Sequence, residues 1–478
     1  MAKLIYSIRK PIYTDMIKFI FTVFFLQTLL LVSAQSSKVK YWLTLPNQSA
    51  LLQENELILQ NIEPDIKLPI IRLDKHTRFQ VMDGYGYTLT GGSAQLINSL
   101  DPKRKMKLLT ELFGNTNTSI GISFLRIAFG ASDLSARVFS YLDLPKGQTD
   151  TSLQYFNLSD DTLHLIPLLK QIKRIQPAIK IMATPWSPPV WMKSNDVSKG
   201  GNLKREYFHT YAKYLVKYLK TMEKLGLQVD AMTIQNEPEH GGNNPSMLMT
   251  ADEQALFIKH HLGPLFQQQK VKTKIIIYDH NADHPHYPIQ VLNDTVARKY
   301  IDGTAFHLYA GDISALSQVK QAHPDKNIYF TEQWTGKNGD FGGDLQWHIK
   351  NVIIGSALNH SKIALEWNLA NDESFGPHTP GGCTACKGAL TIADNQIIRN
   401  VSYYIIAHAS KWVKPGSVRI ANSTVQGLPA VSFLRPDNTI VLIILNETSL
   451  EKTFQVQMNK SFFTSKLPAG AVATFQIK

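Results

Sequence analysis

The sequence predicts an α/β fold, a (β/α)8 TIM barrel with an appended antiparallel β-sandwich domain, and three observations carry that expectation. From Phe79 onward, short apolar runs alternate with amphipathic stretches eight times, the strand number that closes such a barrel. Two of the runs stop abruptly on a carboxylate, Ala231-Met232-Thr233-Ile234-Gln235-Asn236-Glu237-Pro238 and Asn327-Ile328-Tyr329-Phe330-Thr331-Glu332-Gln333-Trp334. After Trp412 the pattern changes to short alternating runs separated by Gly, Pro and Asn, as in antiparallel sheets.

At 478 residues, with 44% hydrophobic and 18% charged residues, the chain can bury one large core and a satellite domain and does not have the composition of a disordered protein. The net charge of +12 is spread along the chain, with no arginine-rich helix or zinc-finger spacing, so nucleic acid is not the expected partner. The expected divisions are a signal peptide over 1–34, strands over 35–75 that join the β-domain, the catalytic barrel over 76–411 and the β-sandwich over 412–478.

The leader has the form of an export signal. Met16-Ile17-Lys18 precedes an apolar stretch from Phe19 to Val32, and Val32-Ser33-Ala34 supplies small residues ahead of Gln35. That stretch falls short of the ~20 residues of a membrane helix, so the expectation is a secreted or periplasmic protein without stable membrane insertion, an uncleaved anchor being the alternative. Met16 gives a more ordinary signal length than Met1. Lys38 to Leu45 and the Pro-bearing segment from Ile62 to Pro69 then suggest strands of a minor sheet.

The eight barrel strands are expected at Phe79 to Tyr87, Ser123 to Phe129, Ile179 to Thr184, Ala231 to Gln235, Lys274 to Asp279, Gly303 to Tyr309, Asn327 to Thr331, and Ile363 to Trp367. Tyr211, Tyr214, Leu215, Tyr218, Leu219 and Met222 recur at spacings of three and four, an amphipathic helix between the third and fourth strands that ends near Gly226. Similar stripes run from Leu163 to Ile175 and from Leu256 to Phe266. In the tail, strands are expected at Ser417 to Ala421, Ala430 to Leu434, Thr439 to Leu445, Thr453 to Met458, and Ala471 to Ile477.

Parallel α/β barrels place their chemistry at the carboxyl ends of the strands. Pro238 has no N–H and cannot continue a ladder, so Glu237 sits at such an end, as does Glu332. Two opposed carboxylates are what glycosidic cleavage requires, one donating a proton to the leaving oxygen and the other acting as nucleophile or base. The other strand ends add a consistent set: Arg126 within the second strand and Asp133 beyond it, Trp186 and Trp191 after the third, Asn236 beside Glu237, His307 and Tyr309 closing the sixth, Trp334 after Glu332, and Trp367 and Asn368 closing the eighth. Aromatic rings suit sugar faces, and amides and acids suit hydroxyls. A noncatalytic carbohydrate-binding barrel would share the aromatics but has no need of both glutamates. A metal-dependent hydrolase would need a ligand spacing that the histidines do not show.

Cys383 and Cys386, the two cysteines of the chain, stand as C-x-x-C in a Gly-rich loop. No further Cys or His pair follows at finger spacing, and a redox motif would sit before a helix early in the βαβ pattern. In an oxidising compartment the expectation is a loop-stapling disulfide, with a free thiol pair as the alternative.

Asn236-Glu237-Pro238, the Trp-Pro stretch from Thr184 to Asn195, Phe79 to Gly86, Phe306-His307-Leu308-Tyr309 and Glu366-Trp367-Asn368-Leu369-Ala370 together resemble glycoside hydrolase family 30, which contains lysosomal-type glucosylceramidases and microbial endo-β-1,6-glucanases. The resemblance runs from about residue 38 to the end. It implies retention of configuration, with Glu237 as acid/base and Glu332 as nucleophile, and Asn236 hydrogen-bonding the sugar 2-hydroxyl. Arg126 would keep Glu332 ionised, whereas Glu237 must begin protonated. Asp133, Trp191 and Trp367 match sugar-binding positions, and His307 and Tyr309 match groups near the nucleophile. No metal or organic cofactor is implied. Gly91 stands where the glucosylceramidases have an aspartate, and Gln333-Trp334 replaces their Ala-Cys after the nucleophile. Space near Gly91-Gly92 and the Cys383 loop, with Trp334 and Tyr309 as aromatic platforms, favours a β-1,6-linked glucan over glucosylceramide.

Overall fold

Eight runs of buried, β-rich sequence pair edge to edge and in parallel to close a barrel: β1 (Gly84–Leu89), β2 (Phe124–Phe129), β3 (Lys180–Pro185), β4 (Ala231–Thr233), β5 (Lys274–Ala282), β6 (Ile301–Gly311), β7 (Asn327–Glu332) and β8 (Ser361–Asn368). The computed structural model describes residues 38–60 and 65–478; the expected signal peptide lies outside the described residues. All eight expected strands are present, and one of them starts more than two residues from its expected position. Phe79 to Val81 end a long strand of the outer sheet, Ile70–Val81, and the barrel strand begins only at Gly84. Two glycines explain the break. Gly84 has φ +151°, and a Cβ on Gly86 would lie 1.9 Å from the Phe124 carbonyl oxygen, so neither position accepts a larger residue.

Alternation along the strands sorts the barrel interior into layers. Phe124, Met182, Ala231 and Tyr329, with Ile276, Ala305, Ile363 and Leu365, form a dry apolar plug. Two residues onward, the same inward direction carries Arg126, Thr184, Thr233 and Thr331, all buried. The barrel is thus closed by hydrocarbon below and polar above, at the carboxyl ends of its strands.

Helices cover the outside. The stripe of tyrosines forms Phe208–Lys224, its chain turning back at Gly226 with φ +77°. The expected helix from Leu163 divides at His164 into Ser159–Leu163 and Leu165–Ile175. The stretch from Leu256 runs through a wider π-helical turn, Ile258–Leu262, between α-helical ends. At 0–5% exposure, Tyr211, Tyr214, Leu215, Tyr218, Leu219 and Met222 belong to the core between barrel and helices.

The strands Lys38–Thr44, Gln53–Ile58 and Ile70–Val81 hydrogen-bond into a nine-stranded sheet with six from the C-terminal region. One of these, Ser461–Leu467, is not marked by the sequence reading. The pairing is antiparallel except where Lys452–Met458 runs parallel to Ile70–Val81. Trp42 stacks on Trp412 with ring centroids 3.6 Å apart. His408 holds Thr44 and Thr474 through its two ring nitrogens, at 2.8 and 2.9 Å, so helix Val401–Ser410 is pinned to this sheet.

Candidate active site

Arg126 organises the polar layer. Fully buried, it donates to Glu332 Oε2 at 2.5 Å, to Asn236 Oδ1 at 2.6 Å and to Asp279 Oδ2 at 2.9 Å. The guanidinium also lies against two indoles, 4.8 Å from the Trp186 ring and 5.8 Å from that of Trp367, which shield it from water. A buried cation with two carboxylate partners and satisfied donors is the arrangement in which such a charge is tolerated.

The backbone delivers the acids. Asn236 N–H donates to the Pro185 carbonyl and Glu237 N–H to the Asp279 carbonyl, so β4 leaves its ladder after Thr233 and turns toward β5. Glu237, Tyr278 and Asp279 all have left-handed backbones, with φ 47°, 70° and 66°. Such conformations cost about 1–3 kcal/mol each and are held only where the surroundings over-determine them, which here turns Glu237 into the cavity and Asp279 into the polar layer beneath it.

His307 sits between the acids. Its Nδ1 is 3.2 Å from Glu237 Oε1 and 3.7 Å from Glu332 Oε1, and its Nε2 is 3.1 Å from Asp279 Oδ1. The two glutamate oxygens therefore lie no farther apart than those first two distances laid end to end, under about 7 Å. Asn243 donates to Glu237 Oε2 at 2.9 Å, and the Tyr309 hydroxyl donates to Glu332 Oε1 at 2.9 Å.

The electrostatics follow from this geometry. Burial works to raise the Asp279 carboxyl but is outweighed by the Arg126 charge and by hydrogen bonds from His307 and Thr331, which hold it well below the usual range. An ionised Asp279 only accepts, so His307 Nε2 carries a hydrogen. Burial opposes a charge on His307, yet the Glu332 charge and the bonds to Asp279 and Glu237 push the ring up to about 9. Burial raises Glu237 as well, but the hydrogen bond and charge of His307, with His280 and His240, draw it down. Burial raises Glu332, aided by Glu237 and Asp279 and opposed by His307 and Arg126. Taken residue by residue, these directions are the reverse of an acid at Glu237. A hydrogen bond of 3.2 Å, however, joins His307 Nδ1 to Glu237 Oε1. An imidazolium beside a carboxylate and a neutral imidazole accepting from a carboxylic acid hold the same number of protons, so the pair titrates as a unit. Glu332 accepts from Arg126, which cannot give up its proton, and that fixed charge favours the anionic form of Glu332 against its burial.

A cavity of about 290 Å³ opens above these groups, lined among others by Asp133, Trp186, Asn236, Glu237, Tyr309, Glu332, Trp334 and Trp367. Burial, with the charges of Glu332 and Glu237, pushes the Asp133 carboxyl up to about 7. Cys383 and Cys386 form a disulfide that lines the same cavity, and Cys383 N–H reaches Asp133 Oδ2 at 3.4 Å. Among the described residues, Glu237, His280 and His307 are the group that could hold a metal ion.

Of the residues expected from sequence, Glu237, Glu332, Asn236, Asp133, Tyr309, Trp334 and Trp367 meet at this cavity, with Arg126 and His307 directly beneath. Trp191 does not. Its indole N–H donates to the Leu142 carbonyl and its ring packs edge-on to Tyr207 in the core, so the tryptophan presented to the cavity is Trp186. Gly91 and Gly92 are also absent from the lining; a Cβ there would meet Ser135 Oγ at 3.1 Å and the Leu134 carbonyl at 2.8 Å. Their role is close packing of the loop after β2. Asp279, His280, Asn281, His240 and Asn243 escape the sequence reading. The first three follow the apolar run of β5, so the strand-end rule that marks Glu237 also marks them.

The glycosyl hydrolase family 30 TIM-barrel domain matches residues 82–413, and the beta sandwich domain of the same family matches residues 416–475. An endo-1,6-beta-D-glucanase of Aspergillus fumigatus is 32% identical over 423 residues, 83% of this chain and 85% of that protein. The lysosomal acid glucosylceramidase of Mus musculus is 30% identical over 406 residues, 80% of this chain and 78% of that protein. The solved endo-beta1,6-glucanase BT3312 superposes with a TM-score of 0.86 at 32% identity, covering 92% of this chain and 99% of that one. The chain belongs to glycosyl hydrolase family 30 and is a glycosidase.

Proposed function

We propose that the chain is an exported, retaining β-glycosidase whose substrate is β-1,6-linked glucan. The observation that supports the mechanism is the approach of both glutamates to the one His307 Nδ1, which keeps their oxygens under about 7 Å apart and leaves room for the ~5 Å spacing of a retaining pair. Glu332 attacks the anomeric carbon as the glycosidic C–O bond breaks, and Glu237 passes its proton to the leaving oxygen. Water then attacks the same carbon, gives its proton to Glu237, and Glu332 leaves. His307 and Asn243 hold Glu237 in position through both steps, and Arg126 and Tyr309 hold Glu332.

For the substrate, similarity to two endo-β-1,6-glucanases over most of the chain supports a glucan. Trp334, half-buried at the rim, supports a sugar platform beyond the reacting residue. Glucosylceramide is the second reading, favoured by the similarity to the mouse enzyme. The Cys383–Cys386 disulfide supports an oxidising compartment, and no helix among the described residues is long and apolar enough to cross a membrane.

The test is a side-by-side incubation with β-1,6-glucan, β-1,3-glucan and detergent-dispersed glucosylceramide, following reducing ends and free glucose. Shortening of the β-1,6-glucan is expected. Release of glucose from the lipid with the β-1,6-glucan untouched would replace the glucan by the lipid.

A further inference from the structure

We propose that Glu237, His280 and His307 form a binding site for a borderline transition-metal ion of the zinc class, and that an ion held there shuts the enzyme off by taking the oxygen that donates the proton. The inhibition rests on the acid/base reading of Glu237; the binding does not.

The three candidate ligand atoms lie within 4.8 Å of one another; tetrahedral zinc with bonds near 2 Å holds its ligand atoms about 3.3 Å apart, so the side chains draw together by up to about 1.5 Å to share one ion. His280 supplies the decisive observation. Its Nδ1 is buried, has no hydrogen-bond partner, and points toward Glu237 Oε1 at 3.8 Å. A buried polar nitrogen without a partner calls for an explanation, and an ion or its bound water supplies one. A buried imidazole nitrogen with no hydrogen-bond partner has its lone pair free for a ligand.

The surroundings have the form of a supported site. His307 keeps Nε2 on Asp279 Oδ1 at 3.1 Å, the carboxylate–histidine pairing that fixes a ligating ring and raises its basicity. Asn243 occupies Glu237 Oε2 and leaves Oε1 to face the histidines. A divalent cation binds here in exchange for the proton between His307 Nδ1 and Glu237 Oε1, after which Glu237, Glu332 and Asp279 balance the ion and Arg126. Two imidazoles select zinc, copper, cobalt or nickel over magnesium and calcium. The cavity above leaves room for a water as a further ligand.

The experiment is isothermal calorimetry of the full chain with zinc chloride, run beside zinc inhibition of glycan hydrolysis and its reversal by chelator. One ion per chain is expected, with no heat from magnesium. His280→Ala and His280→Gln should each weaken binding and inhibition by at least about tenfold. His284→Ala is the control, since His284 and His286 are a second histidine pair near the rim, with rings 5.2 Å apart; it should change neither. Bound copper should show two imidazole nitrogens by electron paramagnetic resonance in the wild type and in His284→Ala, a readout that survives if a His280 variant does not fold. Wild-type zinc affinity in both folded His280 variants, or loss of binding in His284→Ala alone, overturns the site. Zinc binding in this pattern without hydrolysis of any glycan would instead leave the site standing and remove the proposed function.

Discussion

Arg126 and Glu332 meet at 2.5 Å in the centre of the barrel mouth, and the same guanidinium bonds Asn236 and Asp279. One cation from β2 therefore ties together groups from β4, β5 and β7.

Removing that cation should damage fold and chemistry together. Arg126→Gln leaves Asp279 and Glu332 buried without their partner, and breaking such a pair costs about 3–5 kcal/mol. Urea denaturation should show a loss of that order, and kcat should fall by more than about a hundredfold. A variant with wild-type stability would show that the three strand ends are held some other way.

The two glutamates should separate by leaving group. Glu332→Gln is expected to lose at least about a thousandfold on every glycoside. Glu237→Ala should lose as much on glucan yet retain most of its first-step rate on an aryl glycoside with a very good leaving group, which needs no proton. Equal losses on both substrate types would remove the acid/base assignment.

The His307 ring gives stability a direction with pH. Its folded value, about 9, lies above the ordinary 6.5, so its contribution is complete below pH about 6.5 and is lost as pH rises through about 9. Asp279 is depressed, so its contribution is present above its ordinary value of 3.8 and is lost as pH falls through its folded one. The melting temperature should therefore decline between pH 6.5 and 9, and His307→Asn should flatten that decline. An unchanged slope in the variant would assign the alkaline loss elsewhere.

The Cys383–Cys386 disulfide spans a sequence separation of three, so it closes too small a loop to constrain the unfolded chain much. The double serine variant is expected to melt within a few degrees of wild type while losing activity several-fold, because Cys383 N–H and the loop wall position Asp133. A large fall in melting temperature with unchanged kcat/KM would reverse that reading.

How much of this was legible in the sequence differs by layer. The barrel was, because strands buried on both faces read as apolar runs and Glu237 and Glu332 end two of them. Tertiary choices were not. Nothing local distinguishes Trp186, which faces the cavity, from Trp191, five residues on, which turns into the core to satisfy its N–H on Leu142. The break at Gly84 depends on what its missing Cβ would strike, Ser123 Oγ at 2.5 Å, a contact with the residue just ahead of β2 and 39 positions away in sequence. Asp279 was within reach of the strand-end rule. Its importance rests on partners from β2, β4, β6 and β7, which no stretch of sequence displays.

The most direct test of the two-glutamate account is proton NMR of the reducing ends released from β-1,6-glucan during the first minutes of reaction. Double displacement through Glu332 predicts that the β-anomer appears first and converts to α by mutarotation. First appearance of the α-anomer would contradict it.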